Sequence, residues 1–210
     1  MNIDDYIADH IDPEPRLLAK LYRHTHLHRL YPRMCTDNTM GRLLVMLTKM
    51  IKPRRILELG TFSGYSALCF AEGMPDGCTI DTIEIDPEFA HEIRQAFDNS
   101  PRAADITLHI GDAMSLIPEI ASVGKPIDMV FIDANKRNYS DYFNILLPLL
   151  PSGAFILADN TLWSDKIVDP QAKDPQTQGI RDFNDLVAED PRVETAIIPM
   201  ADGLTILRVK

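Results

Sequence analysis

The sequence predicts an α/β fold built on a doubly wound, mostly parallel sheet of seven strands. Two observations lead to this prediction. From Arg54 onward, short runs of β-branched and apolar residues alternate with segments whose apolar residues recur at helical spacing. The last two strand-like runs are separated only by residues 200–203. Because this connection is too short for a parallel crossover, these two strands are expected to form an antiparallel hairpin.

The first fifty residues are predicted to form helices that lie outside the sheet. Apolar residues recur at helical spacing between residues 17 and 22 and again between 43 and 51. We therefore expect one domain spanning residues 1–210, with an N-terminal helical cap over 1–50 and an α/β core over 54–210.

The core is predicted to contain seven strands and five helices. In chain order, the strands cover residues 55–60, 79–85, 106–110, 128–133, 153–159, 193–199 and 204–209. Helices are expected near residues 64–73, 87–99, 113–119, 138–150 and 176–189. The first five strands alternate with helices and are therefore expected to be parallel. The final hairpin is expected to turn at Asp202-Gly203.

Composition restricts the classes of partner. The net charge of the 210-residue chain is −10, which argues against nucleic acid and anionic membranes. No apolar run reaches the roughly 18–20 residues that span a bilayer. The segment from Met1 to Tyr6 is acidic and unlike a signal peptide. Cys35, Cys69 and Cys78 have no CxxC spacing, which favours reduced thiols in a cytoplasmic protein.

Two of the predicted strands end in acidic residues. Asp133 closes Phe131-Ile-Asp133, and Asp159-Asn160 closes the next predicted strand, while Lys136 follows Asp133 by about one turn. Ligands of open α/β sheets bind at such strand ends. Taken singly, these residues also fit a helix cap, a turn and a solvated lysine. Together they favour a base beside a divalent metal such as Mg²⁺, with Ca²⁺ or Mn²⁺ as alternatives.

A glycine loop follows the first predicted strand. Gly60 and Gly64 are spaced G-x-x-x-G, so the fingerprint that cradles a pyrophosphate is absent. Glu84 ends the second strand, where it either accepts the hydroxyls of a ribose or serves as a charge at a helix N-terminus. Asp112 ends the third strand, where it either reaches an adenine amino group or caps the helix that starts at Ala113. The pattern predicts a nucleoside site.

The chain resembles the class I S-adenosylmethionine-dependent methyltransferases, and in particular the metal-dependent O-methyltransferases of the catechol and caffeoyl-CoA type. The resemblance runs from about Met34 to the C-terminus. The segments that carry it are Leu57-Glu-Leu-Gly-Thr-Phe-Ser-Gly-Tyr-Ser-Ala67, Asp128-Met-Val-Phe-Ile-Asp133, Ala158-Asp-Asn-Thr-Leu-Trp163 and Asp202-Gly-Leu-Thr205. The resemblance implies a Rossmann-like sheet with the antiparallel hairpin last and extra N-terminal helices.

The resemblance also implies roles for individual residues. Lys136 would be the catalytic base and Asp133 would take part in catalysis. The metal ligands would be Asp133, Asp159 and Asn160. The cofactor-binding residues would be Met34, Thr36, Glu58, Gly60, Phe62, Ser66, Glu84, Ile85, Asp112, Ala113 and Asp133.

The sequence departs from the family pattern at two places. Ala134 stands where the catechol enzymes have histidine after the first metal-binding aspartate, and Arg42 follows Gly41 where the family has glutamine. Neither change removes a predicted metal ligand. The loop from Asp165 to Gln178 is expected to border the acceptor pocket. Trp163 is either a wall of that pocket or packed under the loop.

The predicted function is transfer of a methyl group from S-adenosylmethionine to a hydroxyl of a small, vicinal-dihydroxy aromatic acceptor. The predicted assembly is a homodimer. Two alternatives use the same sheet: an NAD-dependent oxidoreductase, which the missing pyrophosphate cradle disfavours, and a non-catalytic module that binds S-adenosylmethionine. The sequence does not identify the natural acceptor or the hydroxyl that is methylated.

Overall fold

The computed structural model describes residues 2–210, apart from the side chain of residue 4. Residue 1, which the predicted cap includes, lies outside the described residues. Seven strands form one sheet: β1 Arg55–Leu59, β2 Thr79–Glu84, β3 Ile106–Ile110, β4 Met129–Ile132, β5 Phe155–Asp159, β6 Val193–Ile198 and β7 Leu204–Val209. Their order is β3-β2-β1-β4-β5-β7-β6. The first five strands are parallel, and β7 is antiparallel to both β5 and β6. The predicted fold class is confirmed.

The helices fall into an N-terminal group and a group interleaved with the strands. Three precede the sheet: α1 Ile3–His10, α2 Arg16–His28 and α3 Asn38–Ile51. Five belong to the core: α4 Tyr65–Gly73, α5 Ala90–Asp98, α6 Ala113–Ala121, α7 Tyr139–Leu146 and α8 Pro175–Glu189. Short 3₁₀ turns precede several of them, including Pro87–Phe89 before α5 and Lys136–Asn138 before α7. Each core helix overlaps a segment predicted to be helical.

Alternating residues of the central strands contact helices on opposite faces of the sheet. Leu57 and Ile132 belong to a buried apolar cluster with residues of α6, α7 and α8. Ile56 and Phe131 belong to the other cluster, with residues of α2 to α5. Since both faces are covered, β4 and most of β5 are apolar, as expected for a buried parallel sheet, whereas β2 also carries polar residues such as Asp81 and Thr82.

The strand order reverses between β1 and β4. β2 lies on one side of β1 and β4 on the other, so the chain winds outward in both directions from this point. Ligand sites of open α/β sheets lie beyond the carboxyl ends of the strands at such a reversal. Gly60, Asp133 and Asp159 all lie at that edge.

The C-terminal hairpin turns over residues 199–203, which is longer than the Asp-Gly pair alone. Ala201 and Gly203 both have positive φ, at 49° and 85°. Gly203 N–H donates to the carbonyl of Met200 at 2.8 Å. The predicted antiparallel pairing is therefore correct, although the turn is larger than predicted.

All three cysteines are free and buried. Within residues 2–210, every helix is too short or too polar to cross a membrane.

Candidate active site

The two acidic strand ends lie side by side. Ile132 pairs with Ala158 in the parallel ladder between β4 and β5, so Asp133 and Asp159 follow neighbouring positions. Asp133 N–H also donates to the carbonyl of Leu59 at 2.9 Å, which fixes the end of β4 against β1. The parallel register therefore brings together the carboxylates that the sequence predicted as metal ligands.

Lys136 joins these strand ends through a short chain of hydrogen bonds. Its Nζ donates to Oδ1 of Asp133 at 2.6 Å and to the hydroxyl oxygen of Tyr139 at 2.8 Å. The Tyr139 hydroxyl in turn donates to the carbonyl of Asp159 at 2.9 Å. The side chain of Lys136 is only 9% exposed. Lys136 thus contacts the Asp133 carboxylate and is linked to the backbone of Asp159 by a fully buried tyrosine that the sequence reasoning missed.

The electrostatic environment of Asp159 favours a positive charge. Burial raises the pKa of this carboxyl above its usual range, and the negative charge of Asp133 raises it further. Lys136 and the Asn160 N–H, which donates to Oδ1 of Asp159 at 2.8 Å, act in the opposite direction. Two carboxylates in a poorly solvated site bind a proton or a cation more readily than exposed ones do.

The loop after β5 adopts a conformation that few residues tolerate. Asn160 has φ of 60°, a left-handed conformation in which asparagine is among the best-tolerated residues. The next residue, Thr161, donates its N–H to the carbonyl of Gly203 and receives the Thr205 hydroxyl at 2.7 Å. A Cβ on Gly203 would lie 2.4 Å from Leu162. The hairpin turn therefore packs directly on the loop that bears Asn160.

Gly60 allows β1 and β4 to approach each other closely. Its φ is +95°, and a Cβ at this position would lie 2.0 Å from the carbonyl oxygen of Asp133. Its N–H donates to the carbonyl of Ile83 at 3.0 Å. Glycine is therefore required here by contact within the chain itself, in addition to any close approach to a ligand.

Glu58 is a buried acid two residues before this glycine. It receives a hydrogen bond from the Ser66 hydroxyl at 2.5 Å and another from the Thr82 hydroxyl. Complete burial raises the pKa of Glu58 to about 8, despite these two donors. The predicted cofactor residues Glu58 and Ser66 are thus in direct contact.

Glu84 supports the turn of the glycine loop. Its Oε2 accepts the N–H of Phe62 at 2.7 Å, and its Oε1 accepts the N–H of Asp86 at 2.9 Å. Phe62 has φ of 51°, which is unusual for an aromatic residue. Glu84, the predicted acceptor of the ribose hydroxyls, therefore also orders the glycine loop after β1 and the turn after β2.

A narrow cleft opens between the glycine loop and the segment after α2. Six predicted site residues line it: Met34, Thr36, Gly60, Phe62, Ser66 and Asp133. Four further lining residues were not predicted: Cys35, Thr61, Ser63 and Tyr65. Thr61, Ser63 and Tyr65 lie within the glycine motif itself, which was the signal that could have identified them.

The predicted adenine-binding residues lie at the ends of β2 and β3. Asp112 occupies the N-cap position of α6, but among the described residues its side chain makes no capping hydrogen bond and receives only the Ser115 hydroxyl at 3.4 Å. Ala113 is buried and Ile85 is 70% exposed. The side chain of Asp112 is therefore not committed to the helix cap that was the alternative to adenine.

The predicted acceptor loop is held by one arginine. Arg181 of α8 donates to the backbone carbonyls of Lys166, Ile167, Asp169 and Ala172, all in this loop. Trp163 packs against the apolar cluster beneath the sheet, and its ring lies 5.8 Å from Nζ of Lys136. The position of Trp163 therefore agrees in part with a wall of the acceptor pocket and in part with packing under the loop.

The two departures from the family pattern, Arg42 and Ala134, lie in different parts of the fold. Arg42 forms a bidentate ion pair with Glu72, with both nitrogen–oxygen distances at 2.7 Å, and so links α3 to α4. A Cβ on Gly60 would lie 3.4 Å from Cα of Ala134, so Ala134 borders the same strand ends as Asp133.

Comparison with known proteins gives a consistent result. A profile of the family described as O-methyltransferase matches residues 8–210. A catechol O-methyltransferase from Niastella koreensis is 30% identical over the whole chain and 97% of its own length. A caffeoyl-CoA O-methyltransferase from Stellaria longipes is 30% identical over 93% of this chain and 84% of its own.

Solved structures agree with the sequence comparison. An O-methyltransferase from Bacillus cereus in complex with S-adenosylhomocysteine has a TM-score of 0.92 at 29% identity, over 99% of this chain and 97% of that chain. The O-methyltransferase TomG from Streptomyces achromogenes, in complex with S-adenosylmethionine, has a TM-score of 0.92 at 31% identity, over 99% and 96%.

The fold and the strand-end site therefore define a Rossmann-like methyltransferase, and the chain belongs to the O-methyltransferase family that these relatives represent. The predicted enzyme class, an S-adenosylmethionine-dependent O-methyltransferase, is confirmed.

Proposed function

We propose that the chain methylates one hydroxyl of a small vicinal-dihydroxy aromatic, with a divalent metal held by Asp133, Asp159 and Asn160. The observation that carries this proposal is the position of Lys136. A largely buried amine lies 2.6 Å from one of two neighbouring carboxylates, at the edge of the sheet that also holds the glycine loop.

The donor set fits a hard divalent cation. Two carboxylates and one amide oxygen are the ligand types that Mg²⁺ and Mn²⁺ take in proteins. The raised pKa of Asp159 agrees with this, because it reflects negative charge that burial leaves poorly compensated. When bound there, a divalent cation supplies positive charge that favours ionisation of an acceptor hydroxyl.

Lys136 is the residue placed to accept the proton of that hydroxyl. A neutral amine has two N–H bonds and one lone pair. In the neutral form that a base requires, the two N–H bonds can be donated to Asp133 and Tyr139, and the lone pair is then left to receive the proton. Once protonated, the ammonium remains beside the Asp133 carboxylate, where its charge is stabilised.

The cofactor is proposed to lie along the glycine loop and the ends of β2 and β3. S-adenosylmethionine supplies the methyl group. Gly60 and Ser66 would contact its methionine part, and Glu84 its ribose. Asp112, Ala113 and Ile85 would border its adenine. These assignments are supported by the position of the residues, all of which lie at the same edge of the sheet as Lys136.

Residues of two loops are proposed to hold the acceptor. Met34 lines the cleft and is 59% exposed, and the Trp163 ring lies 5.8 Å from Nζ of Lys136. An aromatic acceptor between these apolar surfaces would be shielded from water, which strengthens the electrostatic effects at the strand ends. The names of the catechol and caffeoyl-CoA relatives support an aromatic acceptor.

The proposal extends to assembly and location. The segment that follows the second helix exposes Leu30 and Tyr31, with 83% and 66% of their surface accessible, and Leu27 of α2 is 66% exposed. Neighbouring exposed apolar side chains often mark an interface, which supports the proposed homodimer. The proposed cytoplasmic location rests on the three cysteines being unpaired.

The test is consumption of S-adenosylmethionine with catechol or caffeate as acceptor. Activity is expected to disappear with EDTA and return with Mg²⁺. Asp159→Asn should lower kcat at least about a hundredfold, because it replaces a charged carboxylate ligand with a neutral amide. Lys136→Met should lower kcat about 10²–10⁴-fold and leave the affinity for S-adenosylhomocysteine unchanged. Full activity in EDTA would contradict the metal proposal.

The same protein tests the two alternatives. An oxidoreductase would bind NAD in calorimetry at least as tightly as S-adenosylhomocysteine. A non-catalytic module would bind S-adenosylhomocysteine but transfer no methyl group to any dihydroxy acceptor tried. Either result would reject the proposed reaction.

A further inference from the structure

One cationic side chain of the N-terminal helices differs from its neighbours. Residues 16–34 contain five arginines and lysines and no carboxylate, in a chain whose net charge is −10. The other four, Arg16, Lys20, Arg23 and Arg33, are exposed. The side chain of Arg29 is only 8% exposed. Burying a guanidinium costs free energy unless specific contacts compensate for it.

The guanidinium of Arg29 lies on a pair of aromatic rings. Its Cζ is 3.6 Å from the ring centroid of Phe89 and 5.7 Å from that of Phe62. The two rings are perpendicular, with centroids 6.2 Å apart. One guanidinium nitrogen is 2.9 Å from the Glu92 carboxylate. Arg29 therefore makes both cation–π contacts and an ion pair, which together hold its charge in place.

These two rings belong to the connections on either side of Glu84. Phe62 lies in the glycine loop after β1, and Phe89 lies in the short 3₁₀ turn between β2 and α5. Phe62 has φ of 51°, and its N–H donates to Glu84 at 2.7 Å. A non-glycine residue keeps this conformation only when surrounding contacts stabilise it. Arg29 supplies such a contact from outside the α/β core.

We propose that Arg29 is a positioning residue for the nucleoside part of the cofactor. By stacking on Phe89 and bordering Phe62, it fixes the two connections between which the Glu84 carboxylate receives the ribose. This inference rests on the proposed cofactor-binding roles of Phe62 and Glu84. It implies that the end of α2, a helix without a predicted cofactor contact, sets the affinity for S-adenosylmethionine.

The test is calorimetric titration of S-adenosylhomocysteine into the wild-type protein and into Arg29→Met, which retains an apolar stem but no charge. The dissociation constant is expected to rise about tenfold, as for loss of a partly buried cation–π contact. Arg29→Lys keeps the charge and should recover part of this loss. Arg23→Met is the matched control, since Arg23 is an exposed arginine of the same helix.

A purely structural role for Arg29 would give a different result. In that case Arg29→Met would lower Tm without cofactor, but would bind S-adenosylhomocysteine with the wild-type dissociation constant, and this would overturn the inference. A positioning role also predicts a higher KM for S-adenosylmethionine with an unchanged KM for the acceptor.

A second variant, Phe89→Leu, tests the inference if Arg29→Met does not fold. Phe89→Leu removes the ring under the guanidinium and should weaken S-adenosylhomocysteine binding in the same direction, whereas wild-type affinity in Phe89→Leu would count against the inference. If the wild-type protein itself failed to bind S-adenosylhomocysteine, the proposed function and this inference would both be rejected. Wild-type binding with unchanged affinity in Arg29→Met would reject the inference alone.

Discussion

Glu58 illustrates the energetic cost of placing an acid inside a sheet. The side chain is fully buried at the carboxyl end of β1, and hydroxyls of Ser66 and Thr82 donate to its two oxygens. Two hydroxyl donors do not replace the water that a carboxylate loses on burial. The pKa of Glu58 therefore rises to about 8, and the free protein keeps this residue largely protonated at neutral pH.

This raised pKa predicts a pH dependence of stability in the absence of cofactor. In the unfolded chain Glu58 ionises near its usual pKa of about 4.3. Between that pH and about 8, the folded state binds one more proton than the unfolded state. The free energy of unfolding should therefore fall as pH rises through this window and level off above it.

Glu58→Gln isolates the effect, because glutamine resembles the neutral acid and does not titrate. From pH 5 to pH 8.5, Tm of the wild type should fall more steeply than Tm of Glu58→Gln, as measured by calorimetry in matched buffers. Subtracting the two curves of Tm against pH removes the contribution of the titratable groups that both proteins share. Parallel curves would show that Glu58 ionises at its ordinary pKa in the folded protein.

At the scale of elements, helix α8 packs tightly on the segment that carries Lys136. A Cβ on Gly179 would lie 2.5 Å from the carbonyl oxygen of Lys136 and 2.8 Å from Cα of Arg137. Both are backbone atoms, so the clash cannot be relieved by rotating a side chain. The same helix holds the acceptor loop through Arg181. α8 therefore positions two parts of the proposed site.

Gly179→Ala should move the Lys136 segment and slow the reaction. A displacement approaching 1 Å costs up to about a hundredfold in rate, so kcat should fall by at least about tenfold. The affinity for S-adenosylhomocysteine should stay unchanged, because the residues that Gly179 contacts, Lys136 and Arg137, are not among the predicted cofactor-binding residues. Gln178→Ala, an exposed neighbour, is the control. Wild-type kcat in Gly179→Ala would show that the packing is looser than the observed geometry requires.

The strand ends could be predicted from the sequence, whereas contacts between distant elements could not. Runs such as Phe131-Ile-Asp133 reveal a buried strand and its polar end, because burial and strand period are local properties. The contact of Gly179 with Lys136, and that of Arg29 with Phe89, depend on how separate elements pack. A glycine inside a helix indicates close packing, but neither Gly179 nor Arg29 reveals from the local sequence which residue it contacts.

The carboxyl and amino ends of the sheet have different roles. At the amino end, the buried guanidinium of Arg55 donates to Asp81 at 2.8 Å and to carbonyls of Ile120 and Lys125 at 3.1 and 3.0 Å. His109 lies 2.7 Å from the other oxygen of Asp81. This network links β1, β2 and β3 to the end of α6.

Adjacent arginines allow this network to be tested. Arg55→Met leaves Asp81 buried without its main partner and should lower the free energy of unfolding by about 3–5 kcal/mol. Arg54 pairs with Asp128, but its side chain is 61% exposed, so Arg54→Met should cost no more than about 1 kcal/mol. Urea denaturation of both variants measures this difference. Equal losses would mean that the buried network contributes no more than a surface ion pair.

The contact between the hairpin turn and the Asn160 loop has a consequence for synthesis of the chain. The turn over 199–203 and β7 come last among the strands, yet Thr161 depends on Gly203 and Thr205 for its hydrogen bonds. On the ribosome, β1 to β4 and the glycine loop can assemble while these residues are still in the exit tunnel. A nascent chain would thus be able to order the glycine loop before the Asn160 loop gains its contacts with the hairpin turn.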